Sequence, residues 1–117
     1  MNKMNDLVLK ISTDFCKSPG ARYPEEGDFS GQEFRENVLF PIYQEAKRKG
    51  VGLIVDLDGT SGLGTSFLEE SFGGLIRVNK LDYNDVINTI SFVSVENPDY
   101  IEEILGDLKD AYEKCNQ

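Results

Sequence analysis

Two carboxylates spaced two residues apart, Asp56 and Asp58, close an apolar run from Val51 to Leu57. The loop that follows carries Gly59, Gly62 and Gly64 together with the hydroxyls of Thr60, Ser61, Thr65 and Ser66. Two chemistries fit these residue types. Carboxylates two apart at a strand end face one pocket, where one can attack a phosphoryl group and the other can move a proton, with magnesium between them. Alternatively, a hydroxyl at a helix start can itself accept a phosphate and act as a regulatory switch.

Positioning these groups takes a strand, a polar loop and a helix. Val51 to Leu57 is apolar on both faces until Asp56, which predicts a central strand with Ile54 and Val55 buried. After the loop the period turns helical, with Phe67, Leu68, Phe72, Leu75 and Ile76 on one face. Ser66 and Glu69 have the spacing of a capping box at that helix start. Gly73-Gly74 lies inside the helix at a cost of about 1 kcal/mol per glycine relative to alanine, which implies close packing there.

Elsewhere, Leu7 to Ile11 alternates as a first strand. A long connection, Thr13 to Phe29, includes Pro19, Gly20, Pro24 and Gly27, with a short strand expected near Ala21 to Tyr23. Ser30 and Glu33 form another capping box, opening a helix with Phe34, Val38, Leu39, Ile42, Tyr43 and Ala46 as its stripe. Pro41 should kink or divide that helix, and Lys47, Arg48, Lys49 and Gly50 suit its end. A short helix is expected over Asp82 to Val86 and a third strand over Ile90 to Val95. Asn97-Pro98 then opens a final helix with the face Ile101, Ile104, Leu105, Leu108, Ala111, Tyr112 and Cys115. Strands alternating with helices give an α/β fold: one domain over 1–117, with a mixed sheet of about three or four strands covered by about four helices.

The 117 residues contain no histidine. A Ser-His-Asp triad, a Cys-His pair and most zinc sites are thereby excluded. The net charge of −9 argues against a nucleic-acid surface, which needs clustered lysine and arginine. No stretch approaches a membrane span. Lys3 and Lys10 flank Asn5-Asp6, which interrupts any signal-like segment, so a cytoplasmic protein is expected. Cys16 and Cys115 read as reduced thiols. Arg22, Arg35 and Arg77 stand out in so acidic a chain. Arg22 and Arg35 flank the long connection and could hold Asp56, Asp58 or Glu70, or receive a phosphate.

Asp56-Leu57-Asp58-Gly59-Thr60 resembles the first motif of haloacid-dehalogenase-type phosphatases. That resemblance implies Asp56 as nucleophile, Asp58 as general acid and a magnesium ion. Of the later motifs that family needs, only Lys80 and the pair Asp82 and Asp85 are available, and neither follows a convincing strand. The strand, loop and helix start also resemble the STAS domain of anti-anti-sigma factors, whose phosphorylated hydroxyl opens a helix after Asp-Ser-Ser-Gly-Leu-Gly. Ser61-Gly62-Leu63-Gly64 copies those letters too close to the strand. Counting from the strand end instead aligns Gly64-Thr65-Ser66, with Gly64 in place of the aspartate and Ser66 and Thr65 as phosphorylation candidates.

A more extensive resemblance rests on Pro19-Gly20-Ala21-Arg22, Phe29-Ser30-Gly31-Gln32-Glu33-Phe34-Arg35, Val55-Asp56-Leu57-Asp58-Gly59 and Ser66 to Leu75. These look like the STAS-like family of small prokaryotic proteins. The resemblance implies a non-catalytic regulatory module without cofactor or resident metal. Its implied partner is a protein, a histidine-kinase-type ATPase or a serine kinase; the charge and the lack of a long apolar stretch speak against nucleic acid and membrane. Arg22, Arg35, Asp58, Gly64 and Glu70 would shape the interacting loop.

Overall fold

A computed structural model describes residues 5–116; Lys3 lies outside them. Three strands, β1 (Leu7–Lys10), β2 (Leu53–Asp56) and β3 (Ile90–Val93), form a sheet in the order β1-β2-β3. β2 is central, as its apolar sequence predicts, and Asp56 is its last residue. The sheet is parallel throughout the described strands, not mixed: Leu9 pairs with Val55 and Val55 with Phe92. The reason is connectivity. β1 and β2 are each followed by a helical crossover, and such a crossover returns the chain parallel to where it left.

Both crossovers step in the same direction across the sheet. Right-handed connections then put their helices on one face. Burial agrees: Leu9, Leu53, Val55, Leu57 and Ile90 point into the core, while Val8, Ser91 and Val93 of the opposite face are exposed. Ile54, expected inside, belongs to that opposite face and is only partly covered.

After β1 comes a single turn, α1 (Ile11–Asp14), and then the long connection, a strap over residues 15–30. The strand expected near Ala21 to Tyr23 does not form. The Ala21 and Arg22 carbonyls instead accept from the N–H groups of Gly31 (2.8 Å) and Gln32 (3.1 Å), satisfying two orphan donors of the next helix. A three-residue turn, Pro24–Glu26, marks the tip of the strap.

That next helix, α2 (31–49), opens on the expected capping box: Glu33 N–H donates to Ser30 Oγ and Ser30 N–H to Glu33 Oε1. Pro41 does not divide it. A π-turn, Arg35–Leu39, precedes the α-helical Phe40–Lys49, and Phe40 N–H donates to Arg35 O five residues back. Widening the turn just before the proline accommodates a residue that has no N–H to give. Gly50 ends the helix in the left-handed conformation (φ 70°).

The helix after β2, α3 (65–77), has a π-turn of its own at Glu69–Gly73, followed by Gly74–Arg77. Then come α4 (Tyr83–Thr89), capped by Asp82, and α5 (Asp99–Cys115). Asn97 serves α5 with its carbonyl, which accepts from Tyr100 N–H, rather than with its side chain. The buried stripe of α5 is narrower than its sequence face: Ile104, Leu108 and Ala111 are buried, whereas Leu105 and Cys115 are exposed and Tyr112 stacks on Tyr83 at 4.8 Å.

Phenylalanines tie the layers together. Phe15 of the strap lies 5.1 Å from Phe34 on α2, Phe34 lies 5.6 Å from Phe67 on α3, and Phe72 lies 5.6 Å from Phe92 on β3, centroid to centroid. The helix start at Ser66 is thus seated directly beside the core.

Candidate functional site

Asp56 ends β2 and Asp58 opens the loop after it, but their carboxylates already have partners. Asp56 accepts from Lys10 Nζ at 3.3 Å and from Asp58 N–H at 3.0 Å. The Asp58 carboxylate accepts from Val95 N–H (3.1 Å) and Glu96 N–H (2.9 Å), lashing its loop to the one after β3. Glu96 reciprocates by accepting from Gly59 N–H at 2.8 Å. Both acids therefore serve as loop ties.

The groups a phosphatase would add stand elsewhere. Asp82 caps α4, and Asp85 accepts from Lys47 Nζ and Tyr43 OH at 2.5 Å. Lys47 lies in the last turn of α2, which feeds β2 at its amino end, so the length of the sheet separates this group from Asp56. The arrangement does not support the phosphatase reading. Among the described residues, no three histidine, cysteine, aspartate or glutamate side chains are grouped to hold a metal ion.

Beyond Asp58 the loop is pinned at several points. Gly59 adopts φ 92°, and a Cβ there would meet Ser12 Oγ at 2.8 Å. Ser61 N–H donates to Lys17 O of the strap, and Leu63, buried, donates its N–H to Tyr100 OH at 3.0 Å.

The cap of α3 differs from the sequence expectation. Gly64, not Ser66, occupies the N-cap, and its carbonyl accepts from Leu68 N–H at 3.0 Å. Glu69 does not reach back, because two arginines hold it. Thr65 and Ser66 are exposed in the first turn, and among the described residues neither hydroxyl has a hydrogen-bond partner.

The arginines converge on α3 rather than on the aspartates. Arg22, from the strap, pairs with Glu69 and stands 3.7 Å from Glu70 Oε1. Arg77 reaches Glu69 Oε2 at 2.6 Å and Glu70 Oε1 at 3.2 Å. Arg35 is buried, donating Nε to Glu70 O (3.1 Å), one terminal nitrogen to Glu70 Oε2 (2.8 Å) and the other to Asn79 Oδ1 (3.0 Å). Burial pushes the Glu69 carboxyl up, but Arg77 and Arg22 hold it below the usual carboxylate range.

Arg35 and Glu70 lie in the π-turns of α2 and α3, which meet at this pair. Gly74 leaves the space: a Cβ there would stand 2.8 Å from Arg35 Cδ and nearer still to Nε. The close approach implied by Gly73-Gly74 is thus that of the buried Arg35 guanidinium at Gly74 and of the Glu69 carboxylate at Gly73.

The family described as STAS-like domain of unknown function (DUF4325) matches residues 30–100, from the cap of α2 to the first turn of α5. The chain belongs to this STAS-like family. No curated protein and no solved structure compared with it gives a significant match. The match takes in the Asp56–Asp58 loop, the α3 start and the Arg35–Glu70 pair of the STAS-like domain, but not Arg22 or the α5 acids Glu103 and Asp107. No described helix is long and apolar enough to cross a membrane.

Those α5 acids were not foreseen. Glu103 and Asp107, one turn apart, each bury a carboxylate oxygen that has no hydrogen-bond partner among the described residues. Burial pushes the Asp107 carboxyl up to about 6, with the charges of Glu69, Glu103 and Asp110 adding and Arg22 opposing. The sequence signal was their spacing of four residues on one helix; their nearness to Glu69 of α3 is tertiary.

An acid whose pKa is higher folded than unfolded stabilises the fold while protonated, so stability falls as pH rises from about 4 through about 6. Asp107→Asn should therefore raise stability at pH 7 to 8 by on the order of 1 kcal/mol, discounted because water reaches part of the carboxyl. The gain should vanish near pH 4. Urea midpoints of both proteins across this range check it; a gain independent of pH would contradict it.

Proposed function

We propose that this STAS-like domain is a non-catalytic, cytoplasmic regulatory module. Its α3 start, Gly64 to Ser66, meets a histidine-kinase-type ATPase or a serine kinase, and phosphorylation of Ser66 or Thr65 switches the contact. One observation carries this reading: the loop is tied down on both sides, yet its two helix-start hydroxyls are exposed and serve no structural bond. A rigid frame presenting free hydroxyls suits recognition by another protein.

A phosphate at this place gains from the free backbone donors of the first turn. It also adds roughly −1.5 to −2 charge one turn from Glu69. Arg22 and Arg77, already engaged with Glu69, limit the repulsion. The two effects oppose each other within the fold, so the change falls mainly on whatever covers the loop.

The test is binding of the ATPase or kinase recovered with the tagged protein. Wild type, Thr65→Ala, Thr65→Asp, Ser66→Ala and Ser66→Asp are compared. At least one aspartate variant should bind about ten-fold or more weakly, while its folding stability stays within about 1 kcal/mol of wild type. Equal binding by all five, with folding intact, removes this loop as the regulated interface.

A further inference from the structure

Among the described residues, the sheet has helices on one face only. Val8, Ile54 and Val93 lie on the other face, in adjacent strands, beside Lys10, Asp56 and Ser91, which complete that face, and Val95 follows beyond β3. None of the four apolar residues belongs to the hydrophobic core or to the side chains packed against it. Val8 is 58% exposed, Val93 37% and Val95 79%. Parallel sheets are almost always covered on both faces. Here the topology itself leaves one face open, since every crossover runs the same way.

Size and charge decide what fits there. Three strands about 4.8 Å apart and four residues long, at about 3.3 Å each, make a strip of about 14 by 13 Å. That is about 200 Å² in plan, well below the roughly 800 Å² per partner of a stable dimer interface. It does match one helix, about 10–12 Å across, lying over two to three turns.

The carboxyl end of the strip is acidic: Asp14, Asp56, Asp58 and Glu96 gather there, and Lys10 is the cation paired with Asp56. The chain as a whole carries −9. We propose that this open face seats one amphipathic helix of a partner protein, its apolar stripe on Val8, Ile54 and Val93 and lysine or arginine along its flank. This surface is distinct from the α3 start and would act independently of it.

The test is an NMR titration of the isotope-labelled full chain with two synthetic helical peptides of about four turns. Both carry a leucine stripe; one has lysine flanks and the other glutamate. The lysine peptide should give saturable amide shifts centred on Val8, Ile54, Val93 and Val95, with a dissociation constant below about 1 mM. The glutamate peptide, and the lysine peptide on Val8→Lys or Val93→Lys, should bind about ten-fold or more weakly. Both substitutions fall on exposed positions, and unchanged unfolding midpoints would verify that the variants fold. Shifts confined to the helical side, equal binding of the two peptides, or no saturable binding overturns the proposal. So does a concentration-dependent dimer in sedimentation that Val8→Lys abolishes, which would make a second copy the occupant.

Discussion

Replacing Arg35 with methionine should cost about 3–5 kcal/mol of folding stability, a large part of what a domain of this size possesses. The side chain is 2% exposed, and its guanidinium spans Glu70 O, Glu70 Oε2 and Asn79 Oδ1. Methionine fills much of the volume but strands the Glu70 carboxylate, itself 4% exposed, in a low-dielectric seam. Arg77 at 3.2 Å and Arg22 at 3.7 Å lie on its other oxygen and recover only part of the loss.

The double variant Arg35→Met, Glu70→Met should regain much of that cost, because no charge is left buried alone. Urea unfolding of wild type, both single variants and the double variant gives the coupling. If Arg35→Met costs under about 1 kcal/mol, the pair is not what joins the two π-turns.

Phe67→Ala should cost a similar 3–5 kcal/mol. The ring is fully buried, 5.6 Å from Phe34 and 6.2 Å from Phe15, so its loss opens a cavity where strap, α2 and α3 meet. It also follows Ser66 directly. In the folded variant, amide exchange should quicken at Thr65 to Leu68 and along the strap before it does in β2. Thermal unfolding and exchange together check this; a drop in stability without local quickening would mean that the α3 start is held independently of the aromatic cluster.

The sequence was most legible where one physical rule acted alone. The apolar run at Val51 to Leu57 identified the central strand. Ser30 with Glu33 identified the start of α2, because a capping box is a local geometry that tertiary contacts seldom override. It was least legible where charges compete over distance. Ser66 and Glu69 have the same spacing as Ser30 and Glu33, yet Glu69 turns to Arg22 and Arg77, an outcome set by residues 47 positions before it and 8 after it. The aspartates looked catalytic because nothing in their own neighbourhood shows the Val95 and Glu96 amides, 37 and 38 residues away, that occupy Asp58. Ile54 reads as buried from its apolar neighbours; only the strand order reveals that one face of the sheet goes uncovered. Pro41 announced a disturbance in α2, but not that a π-turn would absorb it and aim Arg35 inward.

Hydrogen exchange of the chain, alone and bound to the ATPase or kinase partner, measures the proposed interface most directly. Protection on binding should centre on residues 58–68, and it should be lost when Ser66 or Thr65 is phosphorylated. Protection that leaves 58–68 unchanged, falling instead on β1 and β3 or on the exposed side of α5, would contradict a regulatory contact at the start of α3.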